Sequence, residues 1–400
     1  MKKISIKKPT VYFLCFLLIP FFKPVGLTYY ESINRIFQIW KLVSMFIMIL
    51  IMCIPIVCNR KFDMIVIKKN GFWGLYLFWI IYILNNLINR IDIGDIVNNA
   101  VTSIFLLGII RYAIKNNWEN DLLKSLQFIF KIYIVIQLIS IFIINQGVIL
   151  FEPIKDDYTY FLGTDNYSAF AVYPMLGVIL FYEYLNRNTK KINQGFLLTI
   201  LVTISYLYIK SMTAFSCGAF LIFLLIAYIN KKSVTNYINF YTSIILLILL
   251  FVSIQYGHVQ MVFSHFLENI LHKGITLNSR TYIWEASVGL IKNKILTGYG
   301  SFSNEQITNY ILYGTSHAHN IFLELLLRTG IIGSVGYLWF IIGCAKNNKQ
   351  YLNKKPINLL TATLIAYIVL GFMDYYVTFQ YFYCFMGIFY YAYCFIEKES

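Results

Sequence analysis

Histidine, asparagine, glutamate and arginine side chains cluster at the start of one apolar run. The segment GTSHAHNIFLELLLRTGIIG contributes His317, His319, Asn320, Glu324 and Arg328. An imidazole takes up and releases protons near neutral pH, so the two histidines are candidates for general acid–base catalysis. The structural alternative is that they cap a helix at a membrane interface. That alternative explains one polar residue better than it explains the whole cluster, because ionisable groups at membrane depth are costly and usually functional.

A second segment, NSRTYIWEASVGL, places Arg280 in the first turn of a predicted helix, with Asn278 or Ser279 as the N-cap. A cation there opposes the helix dipole, which is unfavourable for a residue with no role. Trp284 follows one turn later and is expected to stack on the guanidinium. The GYG sequence that begins at Gly298 predicts a turn whose backbone amides could face an anion. By itself, this segment leaves open whether the arginine is functional or solvated surface.

The elements that must position these groups are membrane helices. Apolar residues make up 59% of the 400, charged residues make up 13%, and the mean hydropathy is +0.66. Solid apolar runs approach the roughly 20 residues that cross a bilayer as a helix, and they lack the alternation of barrel strands. The runs are 11–27, 37–58, 71–89, 95–114, 124–145, 166–185, 195–210, 212–229, 238–257, 321–345, 357–376 and 379–396.

We therefore predict an all-α polytopic membrane protein. It has about twelve transmembrane helices and one large extracytoplasmic loop that contains short amphipathic helices. The pair of runs at 195–210 and 212–229 is short and closely joined, so ten or eleven helices remain an alternative. The first run follows a basic start but lacks a small-residue cleavage site, which predicts a retained helix and no cleaved signal peptide.

The net charge of +15 is explained by topology. Lysine and arginine fall in alternate loops, and acidic residues such as Asp92 and Asp95 occupy the loops between them. This alternation follows the positive-inside rule and predicts that both termini are cytoplasmic. It also argues against a nucleic-acid partner. The seven cysteines lie in or beside apolar runs with no metal-binding spacing, so we predict neither a metal nor a cofactor.

Three regions follow from this pattern. Residues 1–257 form about nine transmembrane helices, residues 258–320 form the large outer loop with the candidate active site, and residues 321–400 form about three more helices. Long loops are uncommon without a function, and all five histidines lie in this one. His258, His265 and His272 recur at seven-residue spacing in an amphipathic stretch predicted to lie on the membrane surface. Side chains two helical turns apart, about 10 Å, make a poor metal site.

The order of these motifs resembles the Wzy-like O-antigen polymerase and ligase superfamily. An arginine four residues before a tryptophan is followed by a Gly-x-Gly turn, then by His-x-His-Asn-x-x-Leu-Glu leading into Gly-x-x-Gly. The close match covers about residues 278–340, and GTDNYSAF from Gly163 also resembles the family's turn into a helix. The positions are Arg280, Trp284, Gly298, Gly300, His317, His319, Asn320, Leu323, Glu324, Gly330 and Gly333.

The sequence departs from the family in the middle helices. Members often carry an arginine there, in a segment that forms part of the site for the lipid pyrophosphate. The comparable stretch here is IKSMTAFSCGAF, where Met212 or Cys217 takes that place. Lys210 is close by and could supply the charge, but as a point cation rather than a planar fork. The departure argues mildly against a ligase.

The resemblance implies a glycosyl transfer at the outer face of the bacterial cytoplasmic membrane, with no cofactor or metal. The donor is a glycan on undecaprenyl pyrophosphate, and in a polymerase the acceptor is a second lipid-linked repeat unit. His319 is expected to act as the base and His317 to orient it, while Arg280 stabilises the leaving pyrophosphate. The residues expected to bind substrate are Trp284, Asn320, Glu324, Lys210 and Arg328.

Three other functions remain as alternatives. A ligase would transfer the glycan to lipid A core or to a protein. A flippase or transporter of lipid-linked glycans would carry mid-membrane charges and repeated halves, which this sequence lacks. An outer-face acyltransferase also uses histidine in a membrane. The missing arginine and the lysine-, asparagine- and isoleucine-rich composition favour a capsule or exopolysaccharide polymerase, with a flippase and a chain-length regulator as possible partners.

Overall fold

The fold was analysed in a computed structural model of the chain. The structure describes residues 8–59, 70–143, 149–151, 157–186, 194–230, 239–257, 259–262, 265, 279–302, 315, 317–348, 351, 354–375 and 377–397. The predicted amphipathic stretch with three histidines lies largely outside the described residues, as do His258 and His272 themselves.

Every predicted apolar run coincides with helix. The α-helices in the described part of the chain are α1 Val11–Leu18, α2 Glu31–Asn59, α3 Asn70–Ile88, α4 Gly94–Lys115, α5 Glu119–Phe142, α6 Asp165–Leu185, α7 Gln194–Tyr208, α8 Met212–Asn230, α9 Phe240–Gln255, α10 Arg280–Asn293, α11 Ile321–Asn347, α12 Lys355–Met373, α13 Gln380–Tyr390 and α14 Ala392–Glu397. Short 3-10 helices occupy Ile19–Phe22, Val25–Leu27 and Val259–Met261.

The fold class predicted from the sequence is confirmed. By length and composition, 7 of the described helices could cross a membrane, and four apolar stretches, around α1, α7, α8 and α9, are shorter. The described residues also contain a short antiparallel hairpin between α5 and α6. In this hairpin β1 Ile149–Phe151 pairs with β2 Asp157–Thr159.

Close packing of α3 against α11 depends on small residues. A Cβ added at Gly74 would lie 2.4 Å from the Gly336 carbonyl oxygen, and one at Gly343 would lie 2.5 Å from the Gly71 Cα. Glycines therefore let the two backbones approach closely, as expected where helices pack in lipid. By contrast, α12 is almost fully buried between α6, α8 and other helices, whereas α2 lies at the periphery.

The connection after α10 docks onto a kink in α11. Gly330 has φ 60° and ψ −167°, so the helix breaks there. Ile331 N donates a hydrogen bond to the Ile295 carbonyl at 2.9 Å, outside the helix. A Cβ on Gly330 would lie 2.2 Å from the Leu296 carbonyl oxygen, which no real Cβ contact allows. This kink fixes the large loop to the membrane helix that follows it.

Replacing the kink residue should destabilise the protein. Gly330→Ala meets both the cost of a backbone conformation that is essentially restricted to glycine, about 1–3 kcal/mol, and a clash with backbone that cannot rotate away. We expect a lower thermal midpoint for the detergent-purified protein, measured by size exclusion after heating. Gly289→Ala is the matched control, because a Cβ at Gly289 meets nothing within 4 Å. Equal midpoints for the two variants would contradict the structural role of the kink.

Candidate active site

Asn320 joins the start of α11 to the end of α12. Its Oδ1 accepts hydrogen bonds from Phe322 N at 3.0 Å and Leu323 N at 3.2 Å, as an N-cap does. Its Nδ2 donates to the Phe372 carbonyl at 3.0 Å, and the residue is fully buried. The two helix ends are therefore held together, which brings Asp374, two residues after Phe372, beside the histidines.

Asp374 lies between the two imidazoles. Its Oδ1 is 2.8 Å from His317 Nε2 and 3.4 Å from His319 Nδ1, and the ring centroids of the histidines are 4.1 Å apart. The shorter contact is a hydrogen bond, whereas the longer one is an ion-pair distance without hydrogen-bond geometry. His319 is the more exposed imidazole, at 26% of its side chain against 13% for His317.

Strained backbone accompanies this arrangement. His319 has φ 48°, in the left-handed region that a residue with a Cβ occupies at a cost of about 1–2 kcal/mol. Lys210 and Ser279, at φ 58° and 66°, share this conformation and flank the same region. Such strain persists where surrounding contacts fix it, and it concentrates at functional sites.

Asp374 is held as a carboxylate. Burial raises its pKa, but the hydrogen bond from His317 and the close approach of both imidazoles outweigh burial and hold the pKa well below its usual range. Tyr375 N adds a hydrogen bond to Oδ1 at 2.9 Å. A carboxylate in this position fixes the orientation of an imidazole and stabilises the imidazolium that forms when the ring takes up a proton.

A polar chain connects the carboxylate to the middle helices. Asn166 Nδ2 donates to Asp374 Oδ2 at 3.3 Å, and Asn166 Oδ1 accepts a hydrogen bond from Ser211 Oγ at 2.8 Å. Asn166 lies in the first turn of α6, directly after the turn at Gly163 that the resemblance identified. Lys210 precedes Ser211 and is exposed. The structure therefore brings Lys210 to the same end of the bundle as the histidines.

Arg280 belongs to this site as well. It is the first residue of α10, is partly buried, and interacts electrostatically with Asp374. Burial lowers the pKa of Arg280, and the Asp374 carboxylate offsets part of that effect. Trp284 is fully buried, and its ring packs against Phe251 at 5.4 Å and Phe372 at 5.6 Å between centroids. These contacts anchor the helix that presents Arg280.

Glu324 and Arg328 brace the histidine segment from within the protein. Glu324 is 1% exposed, and its two oxygens accept from Ala318 N at 2.6 Å and from Arg328 Nε at 2.5 Å. Arg328 also donates to Tyr82 Oη at 3.0 Å, and its guanidinium lies 5.3 Å from the Tyr375 ring centroid. Because the Glu324 oxygens are occupied, Glu324 fixes the backbone amide that lies between the histidines.

The expectation that the amides of the GYG turn face an anion is wrong. Gly298 N donates to the Lys294 carbonyl at 2.8 Å, Tyr299 N to the Leu327 carbonyl at 2.7 Å, and Gly300 N to the Arg328 carbonyl at 2.9 Å. The Tyr299 and Gly300 amides therefore dock the loop onto α11, and the Gly298 amide is used within the loop. Asparagines at the end of α3 hold the same segment, since Asn86 Oδ1 accepts from Ser301 N at 2.7 Å.

Sequence reasoning missed Asp374 and Ser211, and it gave Asn166 no role although the GTDNYSAF motif contains it. Asp374 was placed inside the apolar run 357–376, where a lone carboxylate among apolar residues was a signal in its own right. Asn166 and Ser211 carried no such signal, because their relevance depends on which helix ends meet.

A metal ion is compatible with the donor set. One ligand atom each from His317, His319 and Asp374 lies within 4.8 Å of the others, and imidazole with carboxylate suits divalent transition metals. The hydrogen bond between His317 Nε2 and Asp374 uses two of these atoms directly with each other. The sequence-based prediction of a site without metal therefore stays a prediction.

Protonation of Asp374 should affect stability only in strong acid. A carboxylate with a lowered pKa contributes stability above its unfolded pKa of about 3.9, and the contribution is lost as pH falls through the folded pKa. We expect Asp374→Asn to lower the thermal midpoint by a constant amount between pH about 8 and about 5, with the difference closing only below pH about 4.

Fluorescence-monitored unfolding of the purified protein measures this difference. Asp121→Asn serves as the control, because Asp121 is a more exposed carboxylate paired with Lys8 at 2.5 Å. Such surface pairs contribute about 0–1 kcal/mol. If the difference in thermal midpoint between wild type and Asp374→Asn closes between pH about 7 and about 5, the pKa of Asp374 is not lowered.

The fold and this cluster define a multi-pass membrane protein with a histidine, carboxylate and arginine site at one end of its helix bundle. Residues 195–338 match the Wzy_C family model, described as O-antigen ligase. The match confirms the resemblance seen in the sequence to the O-antigen polymerase and ligase superfamily. Its members are membrane enzymes that transfer glycosyl groups. No curated protein matches the chain.

The matched region covers only part of the site. It includes Lys210, Arg280, His317, His319 and Glu324. Asn166 and Asp374 lie outside it on either side, and the structure alone connects them to the histidines.

Proposed function

We propose that this protein is a polysaccharide polymerase. It transfers a glycan from undecaprenyl pyrophosphate to a hydroxyl group of a second lipid-linked repeat unit. The family accounts for the glycosyl transfer. The observation that carries the proposed chemistry is the partly exposed imidazole of His319, packed beside a buried carboxylate and facing the same site as a partly buried arginine.

His319 acts as the general base. Asp374 lies on the Nδ1 side of the ring, which leaves Nε2 to take the proton from the acceptor hydroxyl. The acceptor oxygen forms a bond to the anomeric carbon of the donor while the bond from that carbon to the pyrophosphate oxygen breaks. The electron pair leaves with the pyrophosphate. Asp374 stabilises the imidazolium formed on His319, and His317 keeps Asp374 oriented through its hydrogen bond.

Arg280 stabilises the departing pyrophosphate. Its guanidinium offers paired donors to phosphate oxygens, and partial burial strengthens such contacts. Lys210, exposed at the same end of the bundle, adds a second cation where other members carry an arginine. Arg328 is already paired with Glu324 and therefore contributes through the scaffold. Asn320 and Glu324 likewise position the histidine segment instead of contacting the glycan.

The charge pattern supports an outward-facing site in the bacterial cytoplasmic membrane, with both termini in the cytoplasm. Four helix ends lie on the side of the membrane where the loops are predicted to be acidic. They are Ile88 of α3, Asp165 of α6, Ile321 of α11 and Met373 of α12. The site gathers at these helix ends. Lipid-linked substrates reach that face after export, which agrees with a flippase as a partner.

A ligase is the second candidate function, because the matched family model is described as O-antigen ligase. The two activities differ in the acceptor alone. The replacement of the middle-helix arginine by Met212 or Cys217 favours the polymerase, since the arginine is more expected in a ligase.

Reconstitution separates the two functions. The purified protein is placed in liposomes with lipid-linked repeat units, extracted from a strain that lacks this protein, as the only glycan. We expect a ladder of lipid-linked chains on gel electrophoresis, unchanged by a chelator of divalent metals. Absence of a ladder, with transfer appearing only when lipid A core or a protein acceptor is added, would identify a ligase. Loss of the ladder on chelation would show that the three-residue donor set holds a metal.

A further inference from the structure

A pair of lysines forms a second cationic site outside the proposed catalytic cluster. Lys23 follows α1, and its Nζ donates to Asn34 Oδ1 at 2.5 Å. Lys41 lies in α2, and its Nζ donates to Asn98 Oδ1 at 2.6 Å. Both lysines are partly buried, and their like charges interact electrostatically. Asn34 and Lys41 are seven residues, about two turns, apart in α2, so the two ammonium groups lie on one side of that helix, and an anion bound between them would offset their repulsion.

The described residues supply too little negative charge for this pair. Among the described residues, the carboxylate that interacts with Lys23 is Asp95, which is exposed. Glu31 is the first residue of α2, the helix that carries Lys41, and it is already paired with Arg35 at 2.5 Å. The acceptors that Lys23 and Lys41 find are neutral amides, and each ammonium has two further N–H donors. The site therefore retains a positive charge and unused donors.

A buried hydroxyl group near Lys41 adds to the polar groups of this site that lack a hydrogen-bond partner among the described residues. Ser44 lies one turn from Lys41 on the same face of α2, is fully buried, and finds no hydrogen-bond partner for its Oγ among the described residues. Buried hydroxyls normally have a partner. Burial also lowers the pKa of Lys23, which Asp95 offsets only in part. An anion bound here would satisfy the hydroxyl and offset the desolvation of both ammonium groups.

The lysine pair lies at the same end of the bundle as the histidines. Asn98 and Asn99 are in the early turns of α4, and Asn99 Oδ1 lies 3.4 Å from Gln380 Nε2 at the start of α13. Gln380 is six residues after Asp374. Asp374, which interacts with Arg280, and Gln380, which contacts α4 next to Asn98, therefore relate the two cationic sites through one short stretch of chain.

We propose that Lys23 and Lys41 bind the diphosphate of a second polyprenyl lipid, that of the acceptor repeat unit. The inference rests on the proposed function, in which donor and acceptor both carry a lipid pyrophosphate. Transfer to lipid A core or to a protein needs one such site, whereas polymerisation of lipid-linked units needs two. Phosphate on a membrane lipid is the shared chemistry, and an anionic phospholipid is the other source of it.

Direct binding tests this proposal without relying on catalysis. The full chain is purified in phosphatidylcholine nanodiscs, and the stoichiometry of bound tritiated undecaprenyl pyrophosphate is measured. We expect two sites in the wild type and one in the Lys23→Gln, Lys41→Gln double variant. Affinity at the affected site should fall at least about tenfold for each lysine, since a charge-assisted contact contributes about 1.5–3 kcal/mol.

Three matched variants interpret the result. Lys23→Arg with Lys41→Arg keeps both charges and should keep two sites. Arg35→Gln removes an exposed cation from the same helix and should also keep two. His319→Ala should bind two lipids even though it makes no polymer. If activity survives in His319→Ala, the assignment of His319 as the general base fails, whereas the binding result still stands.

Three outcomes would overturn the inference. The first is a single binding site in the wild type, and the second is two sites in the double glutamine variant. The third is competition by phosphatidylglycerol in the nanodisc that displaces the pyrophosphate lipid from the lysine pair at equal concentration. That result would identify a general site for anionic phospholipid.

Discussion

His319→Ala should abolish chain growth while leaving export of the repeat unit intact. Loss of a positioned general base costs about 10²–10⁴-fold in rate, so lipid-linked single repeat units should accumulate with little or no long polymer. The variant should still fold, because the contacts that hold the segment do not involve the His319 ring. Glu324 binds the Ala318 amide, and Asn320 binds the Phe372 carbonyl. Gel electrophoresis of lipid-linked glycans from membranes measures the result.

The controls for this prediction come from the other histidines. His317→Ala should have a milder effect, because His317 orients Asp374 and is less exposed. His265→Ala, an exposed histidine of the large loop, should make polymer of normal length. A transporter would instead leave repeat units on the cytoplasmic side, beyond the reach of outer-face probes, and a ligase would leave long lipid-linked chains. Normal polymer at a normal rate in His319→Ala would end the catalytic assignment and restore the interpretation of an interfacial helix cap.

Arg280→Lys should lose most activity although the charge is retained. The planar guanidinium binds phosphate through paired donors, whereas an ammonium acts as a point charge. Losing one charge-assisted contact to the leaving group costs about 1.5–3 kcal/mol, or roughly ten- to a hundredfold in rate. Initial rates in the liposome assay measure this effect.

Arg90→Lys is the matched control for Arg280→Lys. Arg90 is an exposed arginine that follows α3, and its replacement should leave the rate unchanged. Trp284→Phe should keep most activity if the indole only anchors α10 between Phe251 and Phe372. A lysine variant of Arg280 as active as the wild type would show that no fork-specific contact to the pyrophosphate exists.

Hydropathy predicted the helices because a membrane leaves the backbone few alternatives. A chain in hydrocarbon must satisfy its own peptide groups, so an apolar run of sufficient length becomes a helix whatever its neighbours are. The runs at 95–114, 166–185 and 321–345 coincide with helices to within a few residues. Alternating charge predicted which helix ends share a side, and the site gathers at ends predicted to lie together.

Local motifs placed part of the site for a similar reason. His317, His319 and Asn320 are neighbours in sequence, so their proximity needed no tertiary information. Asn320 was identified as part of the cluster, and its role as the N-cap of α11 follows from its position before an apolar run. The large distance in sequence between Arg280 and His319 was bridged only by the family resemblance.

Tertiary structure decided which groups are exposed and which are already paired. The sequence could not show that the Tyr299 and Gly300 amides are used by carbonyls of α11, or that both Glu324 oxygens are occupied. Which hydrogen-bond donors and acceptors of a residue stay unused depends on partners that are distant in sequence. Here those partners come from α3, α11 and the segment after α12. Asp374 is an example. In the sequence it falls inside a predicted apolar run, and only the contact between the start of α11 and the end of α12 places it beside the histidines.

The sequence by itself therefore determined the helices, the sign of the charge in each loop and the members of the histidine cluster. These depend on local hydropathy and on the order of neighbouring residues. Only the tertiary structure joined Asp374, Asn166 and Arg280 to that cluster and brought Lys23 beside Lys41. The physical reason is that helix packing in a membrane is set by small-residue contacts such as Gly74 against Gly336, and these contacts bring together side chains from helices far apart in the chain.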